Sequence, residues 1–303
     1  MNMLNHKQMV TLVMYLRMKL ILNKILQYYQ IFCNLSLDVV GGVICNMLAI
    51  TYSFNINAPK AWYIALPLGT WLVYLVDHVV DVMRTDKVYP TPRHQFIKKY
   101  LKPIIALCVL IILVMTATTF IYFDEQLITV GFIMSGVIIL HLMLARLNPQ
   151  SKSIINNKEF GVAFIYATSI FIYPLFNSFL SIGFDALFYL FILFLLITYQ
   201  SLLLCSIIEY PIDMLMNNTS FIRTMGLPKG MVIFQGITLS AFILLVFITI
   251  GLNFYNPALP AFYFLILAGN YLIYLNRNKL QQHFMYRKIA ELLFWLPALG
   301  LLY

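Results

Sequence analysis

Charged residues are scarce in this sequence. Only 10% of the 303 residues are Asp, Glu, Lys or Arg, whereas 62% are hydrophobic. An average soluble domain has about 25% charged and about 45 to 50% apolar residues. The composition therefore excludes an ordinary water-soluble globular protein and predicts an all-α protein that crosses a membrane several times.

Cysteines are also few, and their spacing is uninformative. Cys33, Cys45, Cys108 and Cys205 lie far apart along the chain. Disulfide frameworks and zinc sites have cysteines at short, repeated spacings. The cysteines thus indicate neither a disulfide framework nor a zinc site, and we interpret them as packing residues.

Long apolar stretches are what the sequence has in abundance. Crossing a hydrocarbon core of about 30 Å takes about 17 to 25 apolar residues in a helix. Nine stretches of about this length predict nine transmembrane helices, at residues 33–54, 61–83, 103–122, 127–146, 160–180, 186–208, 230–252, 258–275 and 286–302.

Positive charge is distributed very unevenly between these stretches. The formal net charge is +9, which could suggest a nucleic-acid partner. With nine spans and the N-terminus inside, however, every Lys and Arg except Lys60 falls on one side. Cytoplasmic loops of membrane proteins show this bias. We therefore expect no nucleic-acid partner, and a multi-pass protein of a bacterial cytoplasmic membrane with its N-terminus in the cytoplasm.

The chain divides into two parts of unequal size. Residues 1–32 hold a short apolar run interrupted by basic residues, which predicts an amphipathic, basic helix at the membrane surface. Residues 33–303 form the predicted transmembrane domain, which we expect to be surrounded by membrane lipids. No obligate protein partner is indicated.

Two acidic pairs stand at the ends of predicted spans. Asp77 and Asp81 end span two, and Glu209 and Asp213 end span six. Residues four apart lie on the same helix face, where two carboxylates repel each other unless a cation lies between them. Magnesium prefers oxygen ligands of this kind. We therefore predict that all four residues bind a metal ion on the cytoplasmic side.

Basic and polar residues follow both pairs. They are the predicted substrate-binding residues: Arg84, Arg93, His94, Lys98, Asn217 and Arg223. Arginine and lysine bind phosphate oxygens through charge-assisted hydrogen bonds. Carboxylates that hold magnesium, together with such cations, predict a diphosphate ligand. The helices are 16% Phe, Trp and Tyr and could surround an apolar tail.

The two acidic motifs resemble those of a known family. D-H-V-V-D at 77–81 and E-Y-P-I-D at 209–213 are similar to the two aspartate-rich motifs of UbiA-type intramembrane prenyltransferases. The resemblance implies nine transmembrane helices around a central cavity that opens to the cytoplasmic side. It also implies that a prenyl group passes from a polyprenyl diphosphate to a lipophilic acceptor in an Mg²⁺-dependent reaction. The catalytic residues that it implies are Asp77, Asp81, Glu209 and Asp213.

This sequence departs from the family pattern at several motif positions. Asp77 stands where the family has Asn, His78 where it has its first Asp, Thr85 at its third acidic position, and Glu209 in place of an Asp. Two alternatives therefore stay open: a transporter with an intramembrane acidic site, and a family member that has lost catalysis.

Four other residues carry expectations about structure. Pro211, within the second motif, is expected to kink or end its helix. Asp38 is expected to reach toward water from its helix end, and Asn46 to bond a neighbouring helix. We expect Glu291 to have a structural role.

Overall fold

The computed structural model describes residues 6–84, 91–147, 158–178, 184–216, 220–252 and 258–302. Within these ranges all the regular secondary structure is helical. The thirteen α-helices are α1 (His6–Asn34), α2 (Leu37–Ser53), α3 (Lys60–Arg84), α4 (Pro92–Lys99), α5 (Leu101–Tyr122), α6 (Glu125–Leu147), α7 (Lys158–Ser178), α8 (Phe184–Met216), α9 (Phe221–Met225), α10 (Leu227–Gly251), α11 (Ala258–Leu275), α12 (Arg277–Leu280) and α13 (Met285–Leu293). The predicted all-α class is confirmed.

Six of these helices are long and apolar enough to span a membrane. They are α3, α5, α7, α8, α10 and α11. The end of α1 and all of α2 form a seventh candidate, broken by a 75° bend. At a rise of about 1.5 Å per residue, the 18 residues of α11, the shortest of the six, are about 27 Å long. The prediction of a multi-pass helical protein is supported.

The predicted count of nine spans is not confirmed among the described residues. The apolar part of α6, Leu127–His141, is shorter than the others. The last predicted span is not one helix, since α13 ends at Leu293 and a 3₁₀ helix covers Leu296–Leu302. Pro297 lies at this change, where its missing amide hydrogen disfavours a continuous α-helix.

The N-terminal region is helical, as expected, but it is apolar on more than one side. Leu20, Ile21 and Leu22 follow one another in α1 and are all more than half exposed. Successive helical residues point about 100° apart, so α1 presents apolar groups around much of its surface. Its location at the membrane surface stays a prediction.

The main apolar core surrounds α8. This helix packs against α7, α10 and α11. Phe171, Phe194, Phe234 and Tyr263 are fully buried where these four helices meet. Because α8 is held on several sides, the end that carries the second acidic motif is fixed relative to its neighbours.

A second, smaller core fixes α4 against the end of α3. Ile97 of α4 is fully buried with Leu75 and Val82 of α3 and Ile104 of α5. The prolines and charged residues between positions 84 and 102 predict a polar cytoplasmic loop, whereas the structure has the helix α4 in this segment. Thr91 accepts a hydrogen bond from the His94 amide at the start of α4, and Pro92 occupies the first turn. Both residues favour helix initiation.

Asn46 connects α2 to two other elements. Its side chain donates to the Phe294 carbonyl at 2.9 Å and accepts from the Tyr263 hydroxyl at 3.2 Å. The expectation that Asn46 bonds a neighbouring helix is confirmed. Nearby, the Trp295 indole donates to the Asp38 carbonyl at 2.8 Å.

Close approach of Trp295 to α2 depends on Gly41. A methyl group at position 41 would overlap the Trp295 indole. Gly41→Ala should therefore destabilise the protein by about 1 to 3 kcal/mol through overpacking. The matched control is Gly136→Ala in α6, where a methyl group would meet nothing within 4 Å. Thermal unfolding of both variants in detergent checks this, and equal midpoints would contradict the packing.

Candidate functional site

Both acidic pairs occupy the last two turns of their helices. Asp77 and Asp81 lie near the end of α3, and Glu209 and Asp213 near the end of α8. The predicted spacing of one helical turn within each pair is present. Pro211 does not end α8, which continues to Met216. Each helix thus presents its pair before the chain enters a loop.

Lys158 brings the two acidic pairs into one electrostatic environment. It is the first residue of α7, which packs between α3 and α8. Its ammonium group is within electrostatic range of several carboxylates, of which Asp77 has the largest effect, followed by Asp81, Glu159 and Asp213. Three of the four predicted metal ligands therefore share one cation at the same end of the bundle.

Glu209, the fourth predicted ligand, is engaged elsewhere. Its carboxylate accepts a 2.5 Å hydrogen bond from the Tyr286 hydroxyl and forms a 3.1 Å ion pair with Arg287. Both partners belong to α13. The structure therefore places Glu209 in a pairing that joins α8 to α13, on the side of α8 where α13 packs.

Arg93 lies beneath the first motif rather than on the surface. Its guanidinium donates to the Cys33 carbonyl at 2.9 Å and lies 3.8 Å from the Asp38 carboxylate. Burial and the charge of Arg287 lower the pKa of Arg93, and the opposite charge of Asp38 counteracts this shift. Asp38 is fully buried, so the expectation that it reaches water is wrong.

His94 faces the first acidic motif from α4. Its Nε2 lies 3.9 Å from an Asp81 carboxylate oxygen, and its Nδ1 lies 2.5 Å from the Thr91 hydroxyl. The ring also meets the His78 ring edge to face, with centroids 5.9 Å apart. The predicted substrate-binding residue His94 therefore lies at the motif itself.

The other predicted binding residues are placed unevenly. Lys98 is exposed on α4, and Arg223 is half-buried on α9. Arg84 is the last residue of α3, and its side chain lies outside the described part of the chain. Asn217 and Thr85 also lie outside the described residues.

Glu159 ties the loop after the second motif to the bundle. Its carboxylate accepts hydrogen bonds from the Ser206 hydroxyl and, at 3.0 and 3.1 Å, from the Phe221 amide. Ser220 caps the short helix α9, and its oxygen accepts from the Arg223 amide at 3.3 Å. Arg223 is thereby held near the end of α8.

Three residues at this end are absent from the predicted site. Lys158, Tyr286 and Arg287 lie far from both motifs in sequence, at the starts of other helices. In the sequence, the only feature that could mark them as site residues is a charge or a hydroxyl at the edge of an apolar stretch. That position is also typical of topological anchors, so the sequence does not distinguish the two roles.

No family model, curated protein or solved structure matches the chain. What the site can do is therefore judged from its own geometry. Four carboxylates, three of them from the motifs, act electrostatically on one ammonium group, and further cations lie on neighbouring elements. Such a set suits a ligand that carries negative charge and is accompanied by a metal cation.

Proposed function

We propose that this protein transfers a prenyl group from a polyprenyl diphosphate to a lipophilic acceptor, in the manner of UbiA-type prenyltransferases. The observation that supports the proposal is the position of Lys158, which lies within electrostatic range of acids of both motifs. Two motifs on separate helices would then act on one ligand.

The residues present suit magnesium and a diphosphate together. Asp77, Asp81 and Asp213 supply carboxylate oxygens, which magnesium prefers, and they already attract a cation, Lys158. Glu209 would join them on release from Arg287. Bound Mg²⁺ would supply positive charge that stabilises the diphosphate as a leaving group.

The reaction would break the allylic C–O bond of the prenyl diphosphate. The bonding electron pair leaves with the diphosphate, the acceptor forms a new bond to the prenyl carbon, and the acceptor loses a proton. Lys158, Arg84, His94, Lys98 and Arg223 would stabilise the negative charge that grows on the leaving group, with Asn217 as a further polar contact.

The proposal includes a membrane arrangement. The helices α2 and α6 and the segment from α13 to Leu302 would complete nine spans with the six long helices, while α1 would lie at the membrane surface. Both motifs would then face the cytoplasm, together with every Lys and Arg except Lys60. This agrees with the distribution of basic residues in cytoplasmic loops.

The proposal is tested with the protein in liposomes and labelled farnesyl or geranylgeranyl diphosphate. We expect saturable binding that requires Mg²⁺ and is lost in Asp77→Ala and Asp81→Asn. The matched control is Asp185→Asn, an acid at the opposite end of α8, which should bind normally. Binding that is equal in all three variants would refute the proposal.

A second candidate function is transport, favoured by the buried Asp38–Arg93 pair beside the 75° break between α1 and α2. Broken helices with buried charges are typical of transporter binding sites. The same liposomes separate the two functions. A transporter would move a charged substrate across the bilayer and would form no prenylated product.

A further inference from the structure

We propose that His78, Asp81 and His94 form a binding site for a divalent transition-metal ion, for which Zn²⁺ is the probe. One ligand atom from each residue lies within 4.8 Å of the others. The inference does not rest on the proposed function. It shares Asp81 with the proposed Mg²⁺ set, but it adds the imidazoles of His78 and His94, which that set does not use, and it concerns a different class of metal ion.

His94 is oriented as a metal ligand would be. When its Nδ1–H donates to the Thr91 hydroxyl, the Nε2 lone pair is available on the side of Asp81. Metal-binding histidines commonly have their second nitrogen fixed by such a hydrogen bond. Thr91 is itself held as the N-cap of α4, so the backbone of α4 sets the direction of the ring.

His78 supplies the independent observation. Its side chain is 8% exposed, and its Nδ1 is buried with no hydrogen-bond partner among the described residues. Buried polar atoms usually have a partner, and a missing one can mark a site for an ion. The Arg93 guanidinium lies 3.4 Å from Nε2, a weak contact. If a metal ion bound Nδ1, the ring proton would move to Nε2, and the contact between Nε2 and Arg93 would be lost. Arg93 would keep its hydrogen bond to the Cys33 carbonyl and its ion pair with Asp38.

Asp81 completes a set of two imidazoles and one carboxylate. Its side chain is 44% exposed, so it can turn toward the two rings without disturbing the core. Bonds of about 2.0 to 2.2 Å require the three ligand atoms to move closer together than they are here. Partial exposure of both Asp81 and His94 permits that contraction, and leaves one position open to water or substrate.

The ligand types indicate which ion the site would prefer. Imidazole nitrogen suits zinc, iron, copper and nickel, whereas magnesium prefers oxygen throughout. Arg93, Arg287 and Lys158 add positive charge near His78, and the carboxylates of Asp77 and Asp81 act on Lys158. A site of two histidines and one carboxylate therefore differs in ligand type from the oxygen-only set proposed for Mg²⁺, although the two share Asp81.

The test is a Zn²⁺ titration of the full chain, purified in detergent without a polyhistidine tag and stripped with a chelator. We expect saturable binding by calorimetry that excess Mg²⁺ does not displace, and a tetrahedral absorption spectrum with Co²⁺. His94→Gln and His78→Gln should lose it. Because His94 is partly exposed, its variant tests the site even if the His78 variant fails to fold.

Substitutions at Thr91 test the orienting hydrogen bond. Thr91→Val should weaken Zn²⁺ binding about 10- to 100-fold, while Thr91→Ser, which keeps the hydroxyl, should bind like the native protein. His141→Gln is the control for a histidine elsewhere. Asp213→Asn should keep Zn²⁺ binding even where it loses prenyl diphosphate, which separates this inference from the proposed function. No saturable Zn²⁺ binding, or equal binding by His94→Gln, would overturn the inference.

Discussion

Replacing Arg93 with leucine should lower the free energy of unfolding by about 3 to 5 kcal/mol. The substitution leaves the fully buried Asp38 carboxylate without its cation, 3.8 Å away in the native protein, and removes the donor to the Cys33 carbonyl. The loss would appear as a large drop in the thermal unfolding midpoint in detergent.

Two further variants show whether the buried charge is the cause. Asp38→Asn combined with Arg93→Leu removes both charges and should recover much of the loss. Lys98→Leu removes a cation from the exposed side of the same helix and should change stability by no more than about 0.5 kcal/mol. If the double variant is no more stable than Arg93→Leu alone, the ion pair is not what stabilises this region.

Lys158→Met should weaken the binding of prenyl diphosphate on the order of 10- to 100-fold, the usual value of a hydrogen bond to a charged group. Lys158 is the cation that the acids of both motifs share. Without it, the site loses a phosphate ligand and its carboxylates repel one another more strongly. Equilibrium binding of labelled farnesyl diphosphate in liposomes measures the effect.

Two control variants show whether the effect depends on the charge of Lys158 and on its position in the protein. Lys158→Arg keeps the charge and should retain most of the affinity, whereas Lys102→Met, at an exposed position of α5, should bind normally. If Lys158→Met binds as tightly as the native protein, Lys158 has no part in the site, and the main structural support for one shared site is lost.

Hydropathy predicted the long helices closely, since helix length in a membrane is set by the thickness of the bilayer. The predicted stretch 258–275 coincides with α11, and 61–83 differs from α3 by one residue at each end. The last predicted span, residues 286–302, does not match a single helix, because apolar composition does not reveal that α13 ends at Leu293.

Polar pairings within the bundle were predicted less well. Asp38 and Arg93 are 55 positions apart in sequence, and Glu209 and Arg287 are 78 apart. No local pattern connects such residues, because each pairing depends on how distant helices pack. The spacing of the acids in the sequence predicts both acidic pairs. Lys158, which acts electrostatically on both, cannot be distinguished in the sequence from a basic residue that only sets membrane topology.

The most direct test of the central claim, that the two acidic motifs form one site, is a double-mutant cycle on Asp77 and Asp213. Mg²⁺-dependent affinity for labelled farnesyl diphosphate would be measured for Asp77→Ala, Asp213→Asn and the combined variant. One shared site predicts that each single substitution weakens binding and that the combined loss is smaller than the product of the two single losses. Native affinity in Asp213→Asn would contradict the claim.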